Sequence, residues 1–191
     1  MHLRGDPSGR TGLLLPGRWA FVPSFHRWTK NLQSVTPGVK IEVGSKPSFR
    51  LLTHRPGQRL HLRYEVHARK YAPRLGQTNR YYHVLRPGGF RFLGHAAIAI
   101  PAWNGHARRR VEMRWIGLPS DWRLATSFGA SRRTQRFRAS VFELRHATYL
   151  GGDFRLLRRT VRGRPVHIAV RGRWKFTDAA LADLVTKTVQ V

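Results

Sequence analysis

Ten histidines and nine carboxylates are the residues here that could hold a metal or move a proton, and their spacing limits what they can do. No histidine is followed by glutamate, so the His-Glu-x-x-His that grips zinc on one helix face is absent. No two histidines stand two, three or four residues apart, the spacings that seed a chelate. His61 and His67 share a strand face but lie about 20 Å apart at ~3.3 Å per residue, too far for one ion. Glu65 and His67 could chelate together only with a third ligand from a neighbouring strand, and they read as surface polar residues of a solvated sheet face. The expected metal, catalytic and cofactor-binding sets are all empty.

Other chemistries fare no better. The absence of cysteine removes disulfides, thiolate zinc sites, iron–sulfur ligation and thiol nucleophiles. There is no Gly-x-Gly-x-x-Gly, no Gly-Lys-Ser/Thr phosphate loop and no Gly-x-Ser-x-Gly elbow. Asp121, after Leu118-Pro119-Ser120, reads as a turn residue making an Asx-type hydrogen bond. Arg80-Tyr81-Tyr82-His83 and Gly89-Phe90-Arg91-Phe92 interleave rings with basic residues, as a base-stacking surface does. The βαββαβ order of an RNA-recognition sheet is missing, because no helical pattern precedes residue 177. Phe90 and Phe92 are therefore read as core.

The net charge of +27 comes from 30 arginines and 6 lysines against the nine acids. Such a field attracts nucleic acid, anionic lipid or any polyanion. The arginines run from Arg4 to Arg173, mostly singly and alternating with apolar residues, which describes a generally basic surface. Any nucleic-acid binding is expected to be non-specific and steeply salt-dependent. No apolar run approaches the roughly 20 residues of a membrane span. The first residues, Met1-His2-Leu3-Arg4-Gly5-Asp6, lack the apolar stretch of a signal peptide.

The elements that must position these residues are strands. Leu60, Leu62, Tyr64, Val66 and Ala68 point one way and His61, Arg63, Glu65 and His67 the other, the period of a half-buried strand. The same alternation recurs at Val39/Ile41/Val43, Phe49/Leu51, Phe90/Phe92, Ala96/Ile98/Ile100 and Val111/Met113/Trp115. It returns at Phe137/Ala139/Val141, Phe154/Leu156 and Val166/Ile168/Val170. Turn signals such as Pro56-Gly57, Pro87-Gly88-Gly89, Asn104-Gly105 and Gly151-Gly152 separate the runs. The fold class expected is all-β: an antiparallel β-sandwich or open curved sheet of about ten short strands, with one C-terminal helix. Tyr64, Val66, Trp115, Phe137, Ile168 and Val170 are expected in its core.

The pattern changes once. Thr177 is a good N-cap, Asp178 suits the positive end of a helix dipole, and Leu181, Leu184, Val185 and Val189 follow at helical spacing. Residues 177–191 carry a net −1, whereas +28 precedes them. The division expected is a β domain over 1–176 and a helix over 177–191 that leads towards a further domain.

Longer strings add a resemblance. Gly5-Asp6-Pro7-Ser8-Gly9-Arg10-Thr11 with Leu13-Leu14-Leu15-Pro16 and Trp19 resembles the opening of the N-terminal domain in the glycyl aminopeptidase family of zinc metallopeptidases. Leu52-Thr53-His54-Arg55-Pro56-Gly57-Gln58, leading into Leu62-Arg63-Tyr64-Glu65-Val66, is similar to that domain's central strand. Leu118 to Gly129 is similar to its Pro-x-x-Trp-x-x-x-Thr signature, and Tyr149 to Arg155 and Val170 to Phe176 resemble its last strands. Glu143-Leu144-Arg145-His146-Ala147-Thr148-Tyr149 departs from the acidic Asp-Ser-Pro stretch of the family. The resemblance implies a non-catalytic scaffold and substrate-cleft domain, cut off before the zinc site. Its partner would be the catalytic domain, with peptide contacting the interface and zinc held only in that absent domain. The alternative is a free-standing basic β domain that binds nucleic acid or other polyanions. A His-Glu-x-x-His encoded beyond residue 191 separates the two.

Overall fold

The computed structural model describes residues 1–19, 22, 24–67, 83–102, 105–130 and 133–189. It is all-β with one long C-terminal helix, as the period-2 pattern requires. Five antiparallel sheets are present among the described residues, and none closes into a barrel. The first sheet orders β1 (His2–Arg4), β6 (Arg59–Val66) and β3 (Thr29–Ser34). The second orders β4 (Lys40–Val43), β5 (Phe49–Thr53), β2 (Arg10–Leu14) and β9 (Ile100–Pro101). The third orders β12 (Gly129–Ala130), β11 (Arg123–Thr126), β14 (Thr148–Gly152), β8 (Gly89–Leu93) and β7 (Val84–Arg86). Two ribbons complete the set: β10 (Arg109–Arg114) with β13 (Thr134–Ala139), and β15 (Arg155–Val161) with β16 (Arg164–Val170).

The principal core forms where the first two sheets present their apolar alternates to each other. Leu13, Leu15, Leu52, Leu60, Leu62 and Ala99 are almost completely buried, with Leu3, Leu32, Ile41 and Tyr64 packed around them. Of the six residues expected in the core, Val170 is buried, whereas Tyr64, Val66, Trp115, Phe137 and Ile168 are half-buried. Place along a ribbon decides it on β15–β16: Val161 and Val170 near its ends are buried, whereas Ile168 between them is half open.

The strand count also exceeds the expected ten. Sixteen strands appear among the described residues, several of only two to four residues, too short to display a period. The expected strand through Ala96, Ile98 and Ile100 is instead a helical turn, α1 (Gly94–Ala97), followed by β9. Gly94 lets this turn pack tightly on a later segment of the chain, since a Cβ on Gly94 would lie 1.9 Å from the Leu144 carbonyl oxygen. Val141, expected at the end of a strand, opens α2 (Val141–His146), whose capping box joins Ser140 and Glu143 in both directions. A 3-10 turn covers Phe25–Trp28.

The C-terminal helix α3 (Asp178–Val189) starts where expected, with Thr177 Oγ1 accepting from Ala180 N at 3.2 Å. It rests on β15. Ala182 is fully buried, Leu181 and Val185 are half-buried, and Leu184 stays exposed. Arg155 grips the Asp178 carboxylate through Nε and Nη2 at 2.6 and 2.8 Å, and Arg159 reaches Asp183 at 3.3 Å.

Candidate functional site

The outer face of β6 and the residue after it carry the metal-ligand candidates His61, Glu65 and His67. Glu65 Oε2 and His67 Nε2 are 2.8 Å apart and bind each other. Hydrogen bonds from His67 and then Asn31 hold the Glu65 carboxyl below the usual carboxylate range. His61 joins neither; its ring stacks on His2 across the strand pair, with centroids 4.0 Å apart. Among the described residues no three His, Cys, Asp or Glu side chains come together to hold a metal ion.

The remaining candidates disperse. Asp121 sits in a turn closed by Trp122 N donating to Pro119 O at 3.2 Å. Arg133, which donates to the carbonyls of Leu118 and Pro119, does the bracing there instead of an Asx bond from Asp121. Phe90 and Phe92 are half-buried in a ring cluster, Phe90 on Trp115 at 5.3 Å and Phe92 on Tyr149 at 4.9 Å. Phe90 also lies over Gly151, where a Cβ would approach it to 2.3 Å. These rings pack against protein and do not form an open platform for bases. Arg80, Tyr81 and Tyr82 lie outside the described residues, as does Ala68. His83 is buried, and its Nε2 bonds the His67 carbonyl at 2.5 Å.

Two histidine constellations escaped sequence reasoning. His54 is buried, with Nε2 2.8 Å from Thr11 Oγ1 and Nδ1 2.7 Å from the Arg55 carbonyl. The carbonyl fixes the proton on Nδ1, so the threonine hydroxyl donates to Nε2 while accepting from Asp6 N at 2.9 Å. This network ties Gly5–Thr11 to Leu52–Gln58, two strings that are far apart in the chain. Gly5 N to Gln58 O (2.8 Å) and His54 N to Gly9 O (2.9 Å) complete the seam. The second constellation joins His95, His146 and Trp19, whose ring lies 3.9 Å above His95. Neither could be found by spacing, because the partners are 43 and 51 residues apart. The first is internal, the second runs from buried His95 to exposed His146, and with one or two imidazoles neither offers the ligand set of a zinc site.

Two aromatic rings are exposed just before α3. Trp174 is 58% exposed and Phe176 47%, with rings stacked at 5.5 Å. Trp174 Nε1 donates to the Arg171 carbonyl at 3.0 Å, so the ring offers solvent mainly carbon. Leu184 on α3 is 62% exposed. Among the described residues no helix is long and apolar enough to cross a membrane.

No protein-family model and no curated protein matches the chain. Among solved structures, it superposes on an aminopeptidase N family protein from Idiomarina loihiensis, with TM-score 0.73 over 100% of this chain at 14% identity. The chain spans 32% of that protein's length. At that identity the likeness establishes the fold: this is the all-β architecture found as one part of a larger aminopeptidase N family protein.

Proposed function

We propose that the chain is a non-catalytic N-terminal domain of an aminopeptidase-like zinc metallopeptidase, of the glycyl aminopeptidase type that its strings resemble. The observation that carries this reading is the superposition of the whole chain on about a third of an aminopeptidase N family protein. In this role the sheets form a rigid scaffold and one wall of a peptide-binding cleft. The zinc centre and the catalytic residues belong to a separate domain. The exposed, stacked Trp174 and Phe176 rings support a docking role, since exposed apolar surface is what a domain interface covers.

The test is an aminopeptidase assay on the purified chain with added zinc, using aminoacyl nitroanilide substrates. The expected result is no turnover by the chain alone, and zinc-dependent turnover by the longer protein that contains it. Zinc-dependent turnover by the chain alone overturns the proposal.

A further inference from the structure

The β1–β6 pair places basic residues directly opposite one another with nothing negative between them. Its register sets His2 against His61, Leu3 against Leu60 and Arg4 against Arg59. Leu3 and Leu60 turn into the core, so His2, Arg4, Arg59, His61 and Arg63 all stand on the opposite, outer face. Like charges at directly opposed positions destabilise a strand pair. Among the described residues no carboxylate comes within ion-pair distance of Arg4, Arg59 or Arg63, although Arg63 adds a little to holding Glu65 ionised. The nearest acid along β6 is Glu65, already engaged by His67.

We infer that this outer face binds an extended acidic segment of polypeptide, its carboxylates lying over Arg4, Arg59 and Arg63 with the His2–His61 pair between them. The spacing favours that occupant. Alternate residues along a strand are about 6.6–6.8 Å apart, and an extended peptide with acids at every second position has the same period. A single nucleic acid strand held by more than its phosphates also needs open rings on which its bases stack. Here the two imidazoles are stacked on each other, 4.0 Å apart and 21° from parallel.

The stacked histidine pair gives the face a titratable signature that arginines alone cannot supply. His2 titrates below its usual range because of partial burial first, then the neighbouring His61, the Met1 ammonium and Arg114. Arg4, Arg59 and Arg63 add positive charge from the same two strands. A carboxylate laid across the pair favours the protonated imidazole, so binding takes up protons and strengthens as pH falls towards 5.5. This inference does not rest on the peptidase reading and survives its failure.

The experiment is fluorescence anisotropy of the full chain with a labelled peptide of six alternating glutamates and serines, at about 0.1 M salt. Binding is expected to tighten several-fold between pH 7.5 and 5.5, and His2→Gln/His61→Gln should flatten that rise. Arg4→Gln/Arg59→Gln/Arg63→Gln should weaken binding at least about tenfold. Arg158→Gln/Arg162→Gln/Arg164→Gln removes the same charge from the β15–β16 hairpin and should weaken it less than about threefold. Melting temperatures show that each variant folds; if the first triple variant does not, Arg4→Gln and Arg59→Gln are compared singly with Arg158→Gln. Equal losses at the two places, an oligo(dT) of equal charge binding as tightly as the peptide, or no binding at all overturns the assignment.

Discussion

The Nε2 atoms of His95 and His146 lie 3.2 Å apart, a hydrogen bond between α1 and α2 across 51 residues of chain. His146 bonds the Phe142 carbonyl through Nδ1 at 2.8 Å, which leaves its Nε2 as a lone pair. His95 therefore carries its proton on Nε2 and donates it. Its Nδ1 is buried without a partner, and Trp19 covers the ring face. Only a neutral His95 suits this place. Burial, then Arg145 and His146, pushes its pKa down to about 4.

That depression makes stability fall on acidification. Above the unfolded value near 6.5 the imidazole is neutral in both states, and the shift has no effect. Between about 6.5 and about 4 the unfolded chain binds a proton that the folded chain refuses, so stability is lost through that window and levels off below it. Urea unfolding at pH 7.5 and 5.0 should show a loss of about 2 kcal/mol from this group. His95→Phe, which keeps a ring under Trp19, should remove that part of the loss. An unchanged pH dependence in the variant would falsify the assignment.

The Thr11–His54 seam makes a second prediction. Thr11→Val keeps the shape but strands the half-buried Asp6 amide and the buried His54 Nε2. Leaving buried polar groups unpaired costs about 1–3 kcal/mol, and Thr11→Ser should recover most of it. Equal destabilisation by valine and serine would show that the methyl group and not the hydroxyl matters. Gly5→Ala tests the same seam sterically, since its Cβ would sit 2.3 Å from His54 Cε1.

The class of the fold was legible because a period of two survives in strands of five or more residues, β6 above all. The start of α3 was legible because Thr177 is a local cap signal, and the structure uses it; Asp178 opens the helix and is held by Arg155. Alternation failed at Ala96–Ile100, because a short apolar run fits helix and strand equally. At α2 the signal was present and outvoted: Ser140 and Glu143 are a capping box, read through as the continuation of β13. Long-range pairs left no local trace. Nothing in the spacing of His95 and His146, or of Thr11 and His54, announces a contact that only sheet register and helix packing create.

The helix cap can be tested locally. Thr177→Ala removes the oxygen that accepts from Ala180 N, and loss of such a cap costs about 1 kcal/mol. Because α3 rests mainly on β15, the damage should stay in the helix. Hydrogen exchange should quicken across residues 178–189 and remain unchanged in β6. Faster exchange throughout would mean that α3 and the sheets unfold as one unit.

Relative burial makes the last prediction, at Leu62 and Ile168. Sequence alternation treats Leu62 and Ile168 alike, each the centre of an apolar strand face. The structure separates them: Leu62 has no exposed surface and sits among Leu13, Leu52 and Leu60, whereas Ile168 is half-buried on a two-stranded ribbon. Truncating Leu62 to alanine opens a cavity that two covering sheets cannot close, at a cost of about 2–5 kcal/mol. Ile168→Ala removes side-chain surface already partly wet and next to solvent that can refill the space, so its cost should fall near or below the bottom of that range. Denaturant midpoints of the two variants against the parent chain decide the matter. A loss at Ile168 equal to that at Leu62 would mean that further structure covers the β15–β16 ribbon in solution.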